Sequence, residues 1–406
     1  MDVAPHLSEF RVRLCRLNTG ERLPLVIDGR GLPVPKPNLW ALTVRRPRVQ
    51  SNTLIADLGA IAHLYDWAKR RSIDLEGRFR TGDGIQPSEL SALYQNLRYV
   101  RTTGRVLANR QLHDVTEVNV VRNSVHSARV AVVRDYLVWA LEQTLYSLNA
   151  NDPRHFAVRD RLSLIQRQAR SFTGTTSQAD AKRSGLSELL RTQLLSVIDP
   201  LSVGNPFHKG VRYRNWALII LMLTFGFRRG ETLKVYVTDV NVRGRTPTIR
   251  IIRRPGDSRD PRAIEPAVKT LGREVPLQRE MAALLNTYIQ HHRPNFPSSD
   301  ESPFLFLSEE GKPLSLRMVN YIFAQIVRRY PTFEGLLTPH VLRHTYNDML
   351  SKAARENGLA DAAFRAAQNY LNGWSLTSNQ GTHYSQRDIE ESAAQISLAH
   401  QRSLFS

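Results

Sequence analysis

The chain has 406 residues, more than one ordinary hydrophobic core accommodates, so two or three domains are expected. Lys and Arg number 56 against 37 Asp and Glu, and this +19 charge is spread along the sequence, which points to a polyanionic partner, nucleic acid ahead of a membrane surface. A single cysteine, Cys15, excludes an intrachain disulfide framework and a cysteine-rich zinc site and suits a reducing cytoplasm; there is no signal-peptide pattern, and the longest apolar run, Trp216 to Phe227, falls short of the ~20 residues that span a bilayer, so no membrane role is expected.

Residues 1–47 include "LPLVIDGRGLPVPKPNLWALTV", which reads as an extension with strand and turn character. Residues 48–172 hold four segments with helical periodicity: "SNTLIADLGAIAHLYDWAKRR", "QPSELSALYQNL", "NSVHSARVAVVRDYLVWALEQTL" and "HFAVRDRLSLIQRQARSF". In the first, Leu54, Leu58, Ile61, Leu64, Tyr65 and Ala68 form one stripe, with Ser51 or Thr53 as N-cap. A four-helix domain with basic faces is the expectation. The polar, aperiodic "TGTTSQADAKRSG" marks a linker over 173–186. From 187 to 406 the pattern mixes a buried helix ending at Gly226, strands at "TPTIRIIR", "REVPL" and "FLFLS", and helices at "QREMAALLNTYIQHH", "SLRMVNYIFAQIVRRY", from Pro339 to about Glu356, and from about Ala360 to Leu371. This predicts one mainly helical domain with a small sheet.

Two clusters carry candidate chemistry. In "TPHVLRHTYND", His340 and His344 have the i, i+4 spacing of zinc-protease helices, but Val341 stands where such a helix carries its Glu. Thr338 is a good N-cap and Pro339 fits the first helical position, which puts His340 in the first turn and Arg343 one turn on along the same side. A helix start with an arginine is an anion site rather than a metal site; the plain alternative is a helix that merely exposes polar groups. In "GFRRGETL", Arg228 and Glu231 lie three apart, so Glu231 can orient Arg228 while Arg229 points elsewhere. Here the plain alternative is a surface ion pair of little worth.

The order of "GFRRGETL", "VKTLGREVPL", "HVLRH" and "LNGWSLTSNQGTHYSQ" resembles the tyrosine recombinases, the phage integrase family, over roughly residues 187–395. The resemblance implies a mainly α architecture of two DNA-clamping domains, an N-terminal four-helix, SAM-like core-binding domain and a C-terminal α+β catalytic domain. It implies as catalytic residues Arg228 and Arg343, Lys269 on a turn of the small sheet, His340, Trp374 after Gly373 at the position usually held by His and sometimes Trp, and Tyr384 as nucleophile, with Glu231 as a supporting acid and His344 as a structural second histidine. The ten-residue interval from Trp374 to Tyr384 is one longer than the family's common spacing, and His383 beside Tyr384 is unusual.

Those roles make physical sense. In-line attack on a phosphodiester builds charge on the non-bridging oxygens, which two fixed guanidiniums stabilise. A phenol of pKa near ~10 needs a proton acceptor or a stabilised phenolate, so His340 is the candidate base; a lysine such as Lys269 can protonate the leaving 5′-oxygen. The implied activity is a site-specific DNA recombinase or integrase of a mobile element, working through a 3′-phosphotyrosyl intermediate that conserves the ester's energy. No cofactor, metal or ATP is expected, in keeping with the lack of a "GKS" or "GKT" loop. The implied partners are double-stranded DNA and further copies of the chain, as a tetramer on DNA with exchange of the C-terminal helix, in the cytoplasm. A type IB topoisomerase-like enzyme and a catalytically silent DNA-binding accessory protein are the competing expectations.

Overall fold

Apolar side chains at helical spacing gather into two separate cores. The structure, a computed structural model, describes residues 8–101, 120–149, 151–173, 185–356, 361–374 and 386–405. It divides into two units, Met1–Leu17 with Arg22–Asp180, and Asn18–Glu21 with Ala181–Ser406.

The first unit opens with an antiparallel hairpin, β1 (Arg11–Arg16) and β2 (Arg22–Ile27), with Arg11 opposite Ile27 and Arg16 opposite Arg22. Where the sequence suggests further strand and turn, the chain forms α1 (Pro35–Trp40), continued by a π-turn over Ala41–Arg45. Two prolines stand in its first turn, where a missing N–H costs nothing. The amide of Asn38 then decides the packing: it accepts from the Val26 N–H at 2.7 Å and donates to the Val26 carbonyl at 2.9 Å, and Trp40 is buried beside it. The four long helices follow as α2 (Ser51–Arg70), α4 (Pro87–Asn96), α5 (Asn123–Ser147) and α6 (Arg154–Thr173), with a short α3 (Leu75–Thr81) that the periodicity does not reveal. All six residues of the α2 stripe are buried. Helix α2 begins one residue after Gln50, and the Ser51 hydroxyl donates to the Arg22 carbonyl instead of capping.

The second unit is built round α8 (Arg212–Phe225), which is buried along nearly its whole length and ends at Gly226 with φ of 60°. Before it comes α7 (Glu188–Ile198); after it come α9 (Arg229–Lys234) and the sheet β3 (Val240–Asn241), β4 (Thr248–Ile251) and β5 (Arg273–Pro276), antiparallel in that order. Helices α10 (Arg279–Thr287), α11 (Leu316–Arg329), α12 (Pro339–Glu356), α13 (Asp361–Asn372) and α14 (Gln386–Phe405) complete it. "FLFLS" pairs only through isolated bridges, Tyr236 with Phe304 and Leu307 with Pro313. Three of its carbonyls are taken by side chains, Arg293 donating to Phe304, the Tyr288 hydroxyl to Leu305 and Arg214 to Leu307, and the Phe306 carbonyl accepts from the Leu314 N–H.

The connection from β4 to β5, residues 252–272, is a long pinned loop rather than a tight turn. Buried Lys234 pairs with Asp260 at 3.1 Å and Glu265 at 2.5 Å, Arg262 pairs with Asp260 at 2.8 Å, and Arg254 pairs with Asp239 at 2.6 Å. Inside a protein such a network holds only if each charge is matched, which fixes the loop's path.

Helix α14 packs on α8, α12, α13 and β5 of its own chain. The Gln401 amide accepts from the Gln278 N–H at 2.8 Å and donates to the Pro276 carbonyl at 3.1 Å. His400 is fully buried with its ring 5.4 Å from that of Tyr346. Burial pulls its pKa down to about 4. An unfolded histidine takes up a proton below about 6.5, and the folded one resists until about 4, so this contribution is complete above 6.5 and is lost as pH falls through that window. Urea unfolding of the chain at pH 7.5 and pH 5 should therefore show weaker stability at the lower pH, and His400→Leu should flatten that dependence.

Candidate active site

The GFRRGETL segment converts a buried helix into a charged rim. Helix α8 stops at Gly226, whose left-handed backbone leaves no room for a side chain: a Cβ there would collide with the Tyr346 ring. The chain turns through buried Phe227, and Arg228 becomes the N-cap residue of α9. Its backbone N–H donates to the Glu231 carboxylate at 2.9 Å, and its guanidinium lies 3.5 Å from the same carboxylate. One guanidinium nitrogen, Nη1, is buried with no hydrogen-bond acceptor. Arg229 does point elsewhere, donating to Asn320 at 2.5 Å.

Glu231 is only 1% exposed. A lone buried carboxylate would be costly, and two further residues match it. Arg273 on β5 donates to it at 3.2 Å and the Thr270 hydroxyl donates to its other oxygen. Burial pushes the Glu231 pKa up, but the Arg273 guanidinium, the Thr270 hydroxyl and the Arg228 N–H together hold it below the ordinary carboxylate range. Arg273 and Thr270 are neighbours of the candidate site that motif reading misses. A signal exists: in "REVP" the strand alternation puts Arg273 on the face of Val275, which is buried.

Helix α12 contributes the second arginine. Thr338 caps it, accepting from the Val341 N–H at 3.2 Å, and Pro339 opens it, as the sequence indicates. Arg343 is 5% exposed; it donates to the Gly226 carbonyl at 2.5 Å and the Asn372 carbonyl at 3.2 Å. The first acceptor is thus the residue two before Arg228, which ties the two arginines together. Burial first, then the nearby Arg228 charge, pulls the Arg343 pKa down to about 10. At pH 7 it still favours the charged form by about a thousandfold.

Trp374 is 37% exposed, and the Arg343 guanidinium carbon lies 5.6 Å from its ring centroid. Gly373 before it has φ of 61°, and a Cβ there would press on Arg273, Thr270 and the Leu271 carbonyl. Lys269 is exposed, on a segment held from both ends. The Leu271 N–H donates to the Gly373 carbonyl at 2.9 Å, and Gly230 leaves space for the Ala267 carbonyl, where a Cβ would collide. The Lys269 segment is therefore anchored to both α9 and the Gly373 turn. His340 is exposed on the first turn of α12, edge-to-face with His344 at 4.6 Å between ring centroids. His344 is half-buried, and its Nε2 has no hydrogen-bond partner. Tyr384 and His383 lie outside the described residues; Tyr370, on α13, packs against the core and donates to the Glu274 carbonyl at 3.1 Å. Among the described residues, no group of three or more His, Cys, Asp or Glu is arranged to hold a metal.

The site thus brings together Arg228, Glu231, Arg343, Trp374 and the Lys269 segment from widely separated stretches of sequence. Residues 203–363 match the phage integrase family. The tyrosine recombinase XerD of Staphylococcus saprophyticus subsp. saprophyticus is 29% identical over 191 residues, 44% of this chain and 53% of that relative. XerD of Staphylococcus aureus strain N315 is 29% identical over 181 residues, again 44% and 53%. The chain thus spans about half the length of the curated relatives it matches. Among solved structures, the Tn1549 transposon integrase in complex with transposon right end DNA aligns at a TM-score of 0.48 with 16% identity, over 87% of this chain and 95% of that one. The XerH recombinase bound to difH substrate, before cleavage, aligns at 0.40 with 17% identity, over 89% and 96%.

Glu231→Gln removes the carboxylate that faces buried Arg273 and should destabilise the second unit by about 3 kcal/mol, read by urea denaturation at pH 7.

Proposed function

We propose, from the match over residues 203–363, the XerD relatives and the four ordered motifs, that the chain is a tyrosine recombinase of the phage integrase family, a site-specific DNA recombinase that cleaves and rejoins DNA through a 3′-phosphotyrosyl intermediate on behalf of a mobile element. The observation that carries the proposal is the convergence of Arg228 and Arg343 at one rim, tied through Gly226 and backed by the buried Glu231–Arg273 pair. Two guanidiniums that are fixed before substrate arrives need no reorganisation as charge develops on a phosphate.

In this reading the scissile phosphate lies against the Arg228 and Arg343 guanidiniums; Nη1 of Arg228 stays turned towards Glu231 at 3.5 Å, and the accessible remainder of that guanidinium donates to a non-bridging oxygen. Arg343 already spends two of its donors on the Gly226 and Asn372 carbonyls, which holds its plane and leaves its remaining N–H groups for phosphate. Trp374 packs on that guanidinium and walls off solvent. The Tyr384 hydroxyl attacks phosphorus as its proton passes to His340; the bond to the 5′-oxygen breaks, and Lys269 protonates that oxygen. A 5′-hydroxyl from a partner duplex then attacks the phosphotyrosyl ester as its proton passes to the now neutral Lys269, and Tyr384 leaves as His340 returns its proton. Double-stranded DNA is the substrate, and copies of this chain, four on a paired synapse, are the partners. Because α14 packs on its own chain in this structure, exchange of that helix between copies would require it to leave those neighbours.

On a nicked suicide duplex, Tyr384→Phe should abolish covalent trapping while duplex binding persists; trapping at the normal level by that variant overturns the assignment. Arg228→Gln and Arg343→Gln should each slow trapping by about 10²–10³-fold in a single-turnover assay.

A further inference from the structure

The second unit carries a basic cleft that the proposed chemistry does not use. It has a volume of about 820 Å³, and its lining includes Arg243, Arg245, Arg279, Asn286 and Gln290. One wall is the turn between β3 and β4, the other is the start of α10 and the face that follows. The walls are joined: Thr248 pairs with Pro276 in the sheet, and the Leu277 N–H donates to the Pro247 carbonyl at 2.8 Å. From that bond Arg245 lies two residues back along the turn and Arg279 two residues forward, at the first position of α10. The Arg243 N–H donates to the Asn241 side chain at 3.1 Å, which shapes the turn that presents it. Three guanidiniums are thereby set round one concavity by the same local geometry.

None of the three pairs with a carboxylate among the described residues, and the cleft lining contains no Asp or Glu. Arg254, Arg262 and Arg273 of the same unit, by contrast, each have an acidic partner. The cleft is also remote from the proposed chemistry within the sheet. It lies at the Thr248–Pro276 end of the β4–β5 ladder, whereas Arg273, which backs the reaction site, lies at the Ile251 end. An uncompensated triad of guanidiniums in a concave wall focuses positive potential and recruits anions. The volume far exceeds one inorganic phosphate, and amides at Asn286 and Gln290 add hydrogen-bonding groups suited to sugar and phosphate oxygens.

We propose that this cleft is a second nucleic-acid site, which grips the phosphate backbone of DNA away from the bond being cut. The proposal rests on the recombinase reading for the identity of its ligand. Phosphates are favoured over an acidic protein segment because planar guanidiniums in series match successive phosphates, and the whole chain carries +19.

The test uses the full chain and a fluorescent duplex that extends beyond the cleavage position by several turns. The triple variant Arg243→Gln, Arg245→Gln, Arg279→Gln should weaken binding and reduce the slope of log affinity against log salt by roughly 2 to 3, about 0.9 for each phosphate that is no longer neutralised. At saturating protein, covalent trapping on the suicide duplex should keep its wild-type rate. A photo-crosslinker attached at Ala283→Cys, inside the cleft, should label the duplex, with the unsubstituted chain treated alike as the control for Cys15. An unchanged salt slope, or no crosslink above that control while the duplex is bound, overturns the proposal; capture of an acidic protein by the cleft with DNA binding untouched does so too. Failure of the underlying reading is distinguishable, because it appears as absence of covalent trapping by the unsubstituted chain.

Discussion

A buried carboxylate with three donors organises the second unit. Glu231 receives the Arg228 N–H, the Thr270 hydroxyl and the Arg273 guanidinium, so two segments far apart in sequence, 228–231 and 270–273, must arrive at one point for its charge to be tolerated. In a low-dielectric interior an unmatched carboxylate costs several kcal/mol, and a matched one converts that cost into positional specificity. The result at the surface is an arginine whose backbone and side chain are both tied, and a loop bearing Lys269 that cannot drift independently of it.

Close backbone approach does the remaining positioning. Gly226, Gly230 and Gly373 each sit where a Cβ would strike a neighbour: Tyr346, the Ala267 carbonyl, and the Arg273–Thr270 pair. Two of the three, Gly226 and Gly373, also adopt positive φ. These positions let α8 and α13 end, and α9 begin, in close contact with the residues round Arg228 and Arg343. Arg343 then bonds to the carbonyls at two of these helix ends, Gly226 and Asn372, using acceptors that a helix terminus leaves open. Placement of Arg343 and helix termination therefore rely on the same set of bonds.

Much of the site is legible in the sequence because the motifs fall at element boundaries with strong local signals. Thr338 and Pro339 announce the start of α12 and hence the relation of His340 to Arg343; Gly226 announces the end of α8. The metal reading suggested by His340 and His344 gives way to an arginine-centred site: the two rings stack edge to face, and Arg343 between them in sequence turns into the interior. Arg273 escapes motif reading, since an arginine in a short strand reads as solvent-facing until the alternation with Val275 is weighed. The sequence suggests a turn where β4 passes to β5, and the length of that connection is accommodated by the Lys234, Arg254 and Arg262 ion pairs, whose partners lie too far apart in sequence for any periodicity to reveal.

The sequence by itself determined the helices with apolar stripes, the caps that start and stop them, the surplus of positive charge, and the residue types available for phosphate chemistry, because each depends on spacing within a few residues. Tertiary structure alone decided that Asn38 would lock "NLWALTV" as helix, and that side chains would satisfy three carbonyls of "FLFLS" in place of a full strand partner. It also decided that Arg228 and Arg343 would meet across Gly226 and that Arg243, Arg245 and Arg279 would line one cleft. Those outcomes rest on hydrogen bonds and charge pairs between distant residues, where the cost of leaving a buried polar group unmatched selects one arrangement and local pattern carries no record of it.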